Sequence, residues 1–195
     1  MSRIVVFGGT FDPVHIGHLI VAEEVLESSG ADRILFIPAR QPPHKPARPI
    51  TPGRHRLAMV ELAIRNNKRF ETSDIELRRR GRSYTIDSLR ALRRKFGSET
   101  ELTLVVGADQ ILEFETWKDY RRIAAEYPLI LTTRAGYARS LKRGRPYLKD
   151  ARILVVPDIG ISATEIRDRV RRGRSIRYLV PAAVERYIRT QRLYR

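Results

Sequence analysis

"RIVVFGGTFDPVHIGH", residues 3–18, begins with an apolar, β-branched run and ends in a helical spacing. Residues 4–7, "IVVF", read as a strand buried on both faces, and Gly8-Gly9 stops it. After the Asp-Pro turn, Ile16, Leu19, Ile20, Val25 and Leu26 recur with helical period, so a helix begins near His15. The unit is strand, tight turn, helix, and the free N–H groups of the helix point back into the turn as a ready anion site. It is neither of the two commonest phosphate loops: GxxxxGK[ST] is absent, and so is GxGxxG. His15 and His18 lie three apart on the helix's first turn, with Gly17 between them allowing close approach.

The same alternation extends along the chain. "ILFI" (34–37), "LTLVV" (102–106), "LILTT" (129–133) and "ILVV" (153–156) read as further buried strands, and "FETSDIEL" (70–77) as a less buried one. Leu57 to Ile64 predicts a helix with Thr51 as N-cap and Pro52 at its first position, and Ile86, Leu89 and Leu92 mark another. Two more helices follow the last strand, over "ISATEIRDRVRRG" and "VPAAVERYIRTQRLY". The expected fold is α/β: a Rossmann-like, doubly wound, mostly parallel sheet with helices on both faces and a C-terminal helical segment. A single domain over 1–195 is expected, with an α/β core (1–157) and C-terminal helices (158–195). Ligands of such folds sit at the carboxyl ends of the strands.

Composition narrows the classes. The chain has no cysteine, which excludes disulfides and thiolate metal sites. It enters its first strand without a charged, apolar leader and has no membrane-length apolar run, so a cytoplasmic location off the membrane is expected. A net charge of +16, from 38 Lys and Arg against 22 Asp and Glu, favours anionic partners, and the residues from Arg139 onward carry most of the excess. Arginines on solvent faces of helices explain much of it equally well. With only His15, His18, His44 and His55 and no HExxH spacing, no resident metal is expected. For His15 and His18, a structural role and donation to phosphate oxygens both stay open on the pair alone.

"GTFDPVHIGH" resembles the signature of the HxGH nucleotidyltransferases, and "ISATEIR" (161–167) resembles their second signature, with Ala163 where a serine is usual. "PPHK" (42–45), "GRSYTIDSL" (81–89) and "GADQILEFETWKDY" (107–120) narrow the resemblance to the nicotinate-nucleotide adenylyltransferases. That resemblance implies catalytic roles for His15, His18, Lys45 and Arg167. It implies ATP binding by Gly8, Gly9, Thr10, Phe11, Gly107, Asp109, Ile161, Ser162 and Thr164, the second motif opening a helix whose N-terminus takes the triphosphate. His44, Tyr84, Thr85, Trp117 and Arg134 would serve the nicotinate nucleotide. From the residues themselves, Ser162 or Thr164 is a natural N-cap, Asp109 is either an N-cap or a ligand contact, and Trp117 is either core or loop wall. His55 receives no functional reading.

The implied partners are ATP, with Mg²⁺ on its phosphates, and nicotinate mononucleotide; nucleic acid is not expected, and self-association stays open. Within the superfamily, phosphopantetheine adenylyltransferases and cytidylyltransferases are the nearest rivals, and "PPHK" with "GADQILEFETW" counts against both. An RNA-binding module is the rival from another class. Against it, aromatic residues do not interleave with the basic runs as a stacking platform requires.

Overall fold

In the computed structural model, described for residues 2–41, 50–133 and 144–195, the first unit is strand β1 (Arg3–Gly9) followed by helix α1 (Ile16–Ser29). Then come β2 (Arg33–Pro38), α2 (Gly53–Ile64), β3 (Phe70–Thr72), α3 (Ile75–Arg78), α4 (Thr85–Phe96), β4 (Glu101–Gly107), α5 (Ala108–Leu112), α6 (Tyr120–Glu126), β5 (Leu129–Thr133), β6 (Arg152–Val155), α7 (Ala163–Arg171) and α8 (Ala182–Thr190). The six strands form one sheet in the order β3-β2-β1-β4-β5-β6, and every pairing is parallel. The order reverses direction between β1 and β4, which is where an open parallel sheet leaves a crevice.

Alternation along each strand feeds two apolar layers. Val5, Ile34, Phe36, Val105 and Ile130 face one side, packed by Val25 and Leu26 of α1, Met59 and Val60 of α2, Ile166 of α7 and Val184 and Ile188 of α8. Ile4, Val6, Leu35, Leu104, Val106 and Leu131 face the other, packed by Ile86, Leu89 and Leu92 of α4 and Ile123 of α6. Double-sided burial is why the strands read as unbroken apolar runs.

Two expectations are corrected. The strand foreseen over 70–77 ends at Thr72, because Ser73 N–H closes the ladder on the Phe36 carbonyl (2.9 Å) and Arg78 N–H bonds the Asp74 carbonyl (3.0 Å), turning 75–78 into α3. The helix expected to be capped by Thr51 is capped by Pro52 and starts at Gly53, while the Thr51 carbonyl accepts from Arg56 Nε (2.8 Å). No described helix is long and apolar enough to cross a membrane.

Candidate active site

A cleft of ≈ 1930 Å³ opens over the carboxyl ends of β1, β4 and β5. Every site candidate among the described residues lines it: Gly8, Gly9, Thr10, Phe11, His15, His18, Tyr84, Thr85, Gly107, Asp109, Trp117, Ile161, Ser162, Thr164 and Arg167. His44, Lys45 and Arg134 fall outside the described residues.

The turn after β1 is shaped by close packing. Phe11 has φ 50°, a conformation that a bulky residue rarely adopts, and it is held there by burial against Phe7, Phe36 and His18. A Cβ on Gly9 would stand 2.8 Å from the Phe11 ring, so Gly9 is required by the protein itself. At Gly8 a Cβ would meet nothing within 4 Å, which leaves backbone bare toward the cleft. Gly17 is a third case: its missing Cβ makes room for the His15 ring, 3.1 Å away.

His15 is the N-cap of α1, and its ring stacks on that of His18 with centroids 3.7 Å apart. Burial pushes the His15 imidazole down to about 4, so it is neutral at pH 7. The His15 backbone N–H donates to His18 Nδ1 (3.2 Å), which demands a lone pair there and leaves the His18 proton on Nε2. The pair therefore offers neutral N–H donors that need no proton loss to act.

The second motif lies 155 residues from this turn and is tied directly to it, since Arg167 Nη1 donates to the Asp12 carbonyl (2.6 Å). Ser162 caps α7 by accepting from Glu165 N–H (3.1 Å). Thr164 is spoken for differently, receiving Arg167 Nη2 at 3.1 Å. The N–H groups of Ala163 and Thr164, in the first turn, have no intrahelical acceptor and add partial positive charge.

At the far side of the cleft, Tyr84 is the N-cap of α4 and Thr85 its first residue, which puts a second helix N-terminus on the wall. Lys118 Nζ lies 5.0 Å from the Tyr84 ring centre and pairs with Asp87 (3.2 Å). Trp117 is half-buried, with its ring 5.2 Å from that of Phe114, and combines both roles left open for it, core edge and cleft wall. Asp109 is exposed and caps nothing: the N-cap of α5 is Gly107, whose N–H bonds Gln110 Oε1 (3.3 Å). A Cβ on Gly107 would sit 2.8 Å from Asp109 Oδ1, so the glycine clears space for that carboxylate.

Four residues that support the site went unread in the sequence. Arg56, only 1% exposed, donates to the carbonyls of Thr10 (2.7 Å), Thr51 and Arg40 (3.5 Å). Its signal was there to find, because it shares the apolar face of α2 with Met59 and Val60, where a cation is out of place. Tyr194 donates its hydroxyl to Asp12 Oδ1 (2.8 Å), and burial beside that carboxylate raises its pKa well above the ordinary phenol range. Asp12 Oδ2 accepts from Thr51 N–H (3.4 Å). Glu76 is the fourth, a buried carboxyl beneath the N-terminus of α4.

The sequence profile of the cytidylyltransferase-like family matches residues 6–169. The chain is 49% identical to the probable nicotinate-nucleotide adenylyltransferase of Thermomicrobium roseum over 100% of its own length and 92% of that protein's. It is 44% identical to the one of Thermus thermophilus, covering 99% of this chain and 100% of the other. The structure of the Plasmodium falciparum nicotinic acid mononucleotide adenylyltransferase complexed with NaAD superposes with a TM-score of 0.83 at 19% identity, spanning 100% of this chain and 98% of that one, a likeness of fold. With a profile over most of its length and relatives above 40% identical from end to end, the chain belongs to the nicotinate-nucleotide adenylyltransferases, nucleotidyltransferases of the cytidylyltransferase-like family.

Proposed function

We propose that this chain transfers the adenylyl group of ATP to the 5′-phosphate of nicotinate mononucleotide, giving nicotinate adenine dinucleotide and pyrophosphate. The observation that carries this reading is the meeting, in one cleft at the reversal of strand order, of the His15–His18 pair, the α7 N-terminus with Arg167, and the α4 N-terminus beside Trp117. The first two suit a triphosphate, and the third suits a ring bearing a carboxylate.

The acceptor phosphate oxygen attacks the α-phosphorus in line; the new P–O bond forms as the bond from the α-phosphorus to the bridging oxygen breaks, and pyrophosphate leaves with that electron pair. A phosphate monoester with a second pKa of about 6 is already largely ionised at neutral pH, so no general base is needed. What remains is to align two anions and to stabilise charge on the equatorial and leaving oxygens. His18, with its proton on Nε2, and neutral His15 donate to those oxygens, Arg167 and the α7 N–H groups hold the leaving pyrophosphate, and Lys45 is assigned to the same phosphates. The turn Gly8 to Phe11, with Gly107, Asp109 and Ile161, takes the nucleoside; Tyr84, Thr85 and Trp117, with His44 and Arg134, take the nicotinate nucleotide. Magnesium would accompany ATP as part of the substrate, held largely by its phosphates and by water. Both substrates are intracellular nucleotides, which supports a cytoplasmic enzyme.

The test is pyrophosphate release from ATP and magnesium with nicotinate mononucleotide, nicotinamide mononucleotide and phosphopantetheine offered separately. Strong preference for the first is expected. Release with phosphopantetheine alone, or with none, overturns the reading.

A further inference from the structure

Glu76 lies in α3, outside every motif of the site, yet it is 8% exposed and borders the acceptor side of the cleft. Ser88 Oγ donates to Glu76 Oε1 at 2.6 Å, with a longer contact to the Tyr84 carbonyl (3.3 Å), and the Ser83 hydroxyl lies beside the carboxylate and favours its ionised form. Each serine is loaded from behind. Ser83 Oγ accepts the backbone N–H of Arg40 (2.9 Å) and of Gln41 (3.4 Å), and Ser88 Oγ accepts Arg79 Nη1 (3.2 Å). A hydroxyl has one proton to give, and with its lone pairs facing these donors that proton can turn to the carboxylate, which for Ser88 is the nearer of two acceptors. The Arg79–Ser88 chain ends on Glu76, and the Arg40–Gln41 backbone is held by Ser83 beside the same carboxylate.

The two serines straddle the start of α4, at the residue before Tyr84 and at the fourth helical position. Arg40 and Gln41 continue from β2, the strand paired with β1. Two further contacts brace the same junction: Ser83 N–H donates to the Gln41 carbonyl (3.1 Å) and Arg40 Nη1 to the Arg79 carbonyl (2.6 Å). We propose that Glu76 is a positioning residue for the acceptor nucleotide: by drawing in the protons of Ser83 and Ser88 it fixes the chain at Arg40–Gln41 against the N-terminus of α4, and so sets the acceptor wall of the cleft. The proposal rests on the adenylyl-transfer reading above for the identity of the acceptor, while the Arg79–Ser88–Glu76 and Arg40–Ser83 hydrogen bonds stand on the geometry alone. Burial, the largest influence, pushes the Glu76 carboxyl above its ordinary value, against the two hydroxyls, Arg79 and Arg56, which favour the ion.

Glu76→Gln tests it with almost no change in shape. The amide has one accepting oxygen and one donating nitrogen, so a serine that already accepts from behind now faces a donor. Expected results are a Michaelis constant for nicotinate mononucleotide raised about tenfold, that for ATP within about twofold, and amide exchange at Arg40 and Gln41 faster by roughly tenfold, the loss of a charge-assisted hydrogen bond. Exchange at Ala39, whose N–H bonds the Gly9 carbonyl (2.8 Å), stays as it was. Ser83→Ala should reproduce both effects, and the double variant should exceed neither single one. Unchanged exchange at Arg40 and Gln41, a parallel rise in both Michaelis constants, or additive singles would overturn the proposal. If Glu76→Gln does not fold, Ser83→Ala decides alone by the same two readouts. Absence of turnover of nicotinate mononucleotide by the unaltered chain overturns the activity and the acceptor clause together, whereas turnover with unaltered exchange in the variants overturns the positioning only.

Discussion

At the phosphate end of the cleft the backbone is pinned by arginines, Arg56 on the Thr10 carbonyl and Arg167 on the Asp12 carbonyl; at the acceptor end it is pinned by a carboxylate, Glu76, reached through two serines. The contrast fits what each end would receive in the proposed reaction. A triphosphate beside an uncompensated carboxylate is repelled at short range, so supports there are cations that bind neutral carbonyls and keep their charge. Asp12 bears out the rule, because its two oxygens are already taken by Tyr194 Oη–H and Thr51 N–H. Beside the acceptor's ring, a buried carboxylate is tolerable once hydroxyls and Arg79 satisfy it.

The largest effect separating the two ends is catalytic. His18→Ala removes a donor whose partner gains charge only as the reaction proceeds, so kcat and kcat/KM for ATP should fall together by about 10²–10³-fold with KM little changed. Steady-state kinetics checks it. A raised KM with kcat intact would make the phosphate end a ground-state binding site and erase the distinction from the acceptor end. Next comes Arg56→Met, which removes the donor from the part-buried Thr10 and Thr51 carbonyls, at a cost of about 2–3 kcal/mol in denaturant unfolding. The arginine clamp is dispensable if the variant is as stable as the parent.

Acid should also single out the phosphate end. Burial puts the folded-state pKa of His15 at about 4, below the unfolded value of 6.5. The buried neutral ring thus contributes stability that is fully present above pH 6.5 and is lost as pH falls toward 4, about 2 kcal/mol by pH 5. Unfolding of His15→Gln at pH 7 and pH 5 should lack that portion of the decline. An identical decline in both proteins would mean that His15 protonates without penalty.

What was legible in the sequence divides along the same line. Strands buried on both faces announce themselves as apolar runs, and glycines and histidines at fixed spacing marked the turn at Gly8 to His18, because short-range sterics dictate them. β3 was overextended because the Ser73 N–H that ends its ladder bonds a carbonyl on another strand. Of the two readings open for Asp109, cap and ligand contact, the cap rested on residue type alone, whereas Gly107 took the position through Gln110. The supports were harder still to read. Arg56 and Tyr194 reach partners 46 and 182 residues away, and for Arg56 the partners are carbonyls, which every residue has and no residue type reveals. Only burial on an apolar helix face could have flagged Arg56, and nothing in the local sequence flags Tyr194.

The smallest expected effect tests the most distant of those ties. Tyr194→Phe keeps the ring and removes the hydroxyl that donates to Asp12 Oδ1, so it costs about 1 kcal/mol, a fall of roughly 2–4 °C in calorimetric Tm for a chain of this size. The freed Asp12 carboxylate then faces the cleft end proposed to take polyphosphate, and KM for ATP should rise by a few-fold while KM for nicotinate mononucleotide holds. That asymmetry mirrors the one expected of Glu76→Gln, with the substrates exchanged. Should Tyr194→Phe raise both constants equally, the two ends of the cleft are mechanically one, and the division between arginine-held and carboxylate-held walls describes chemistry without independence.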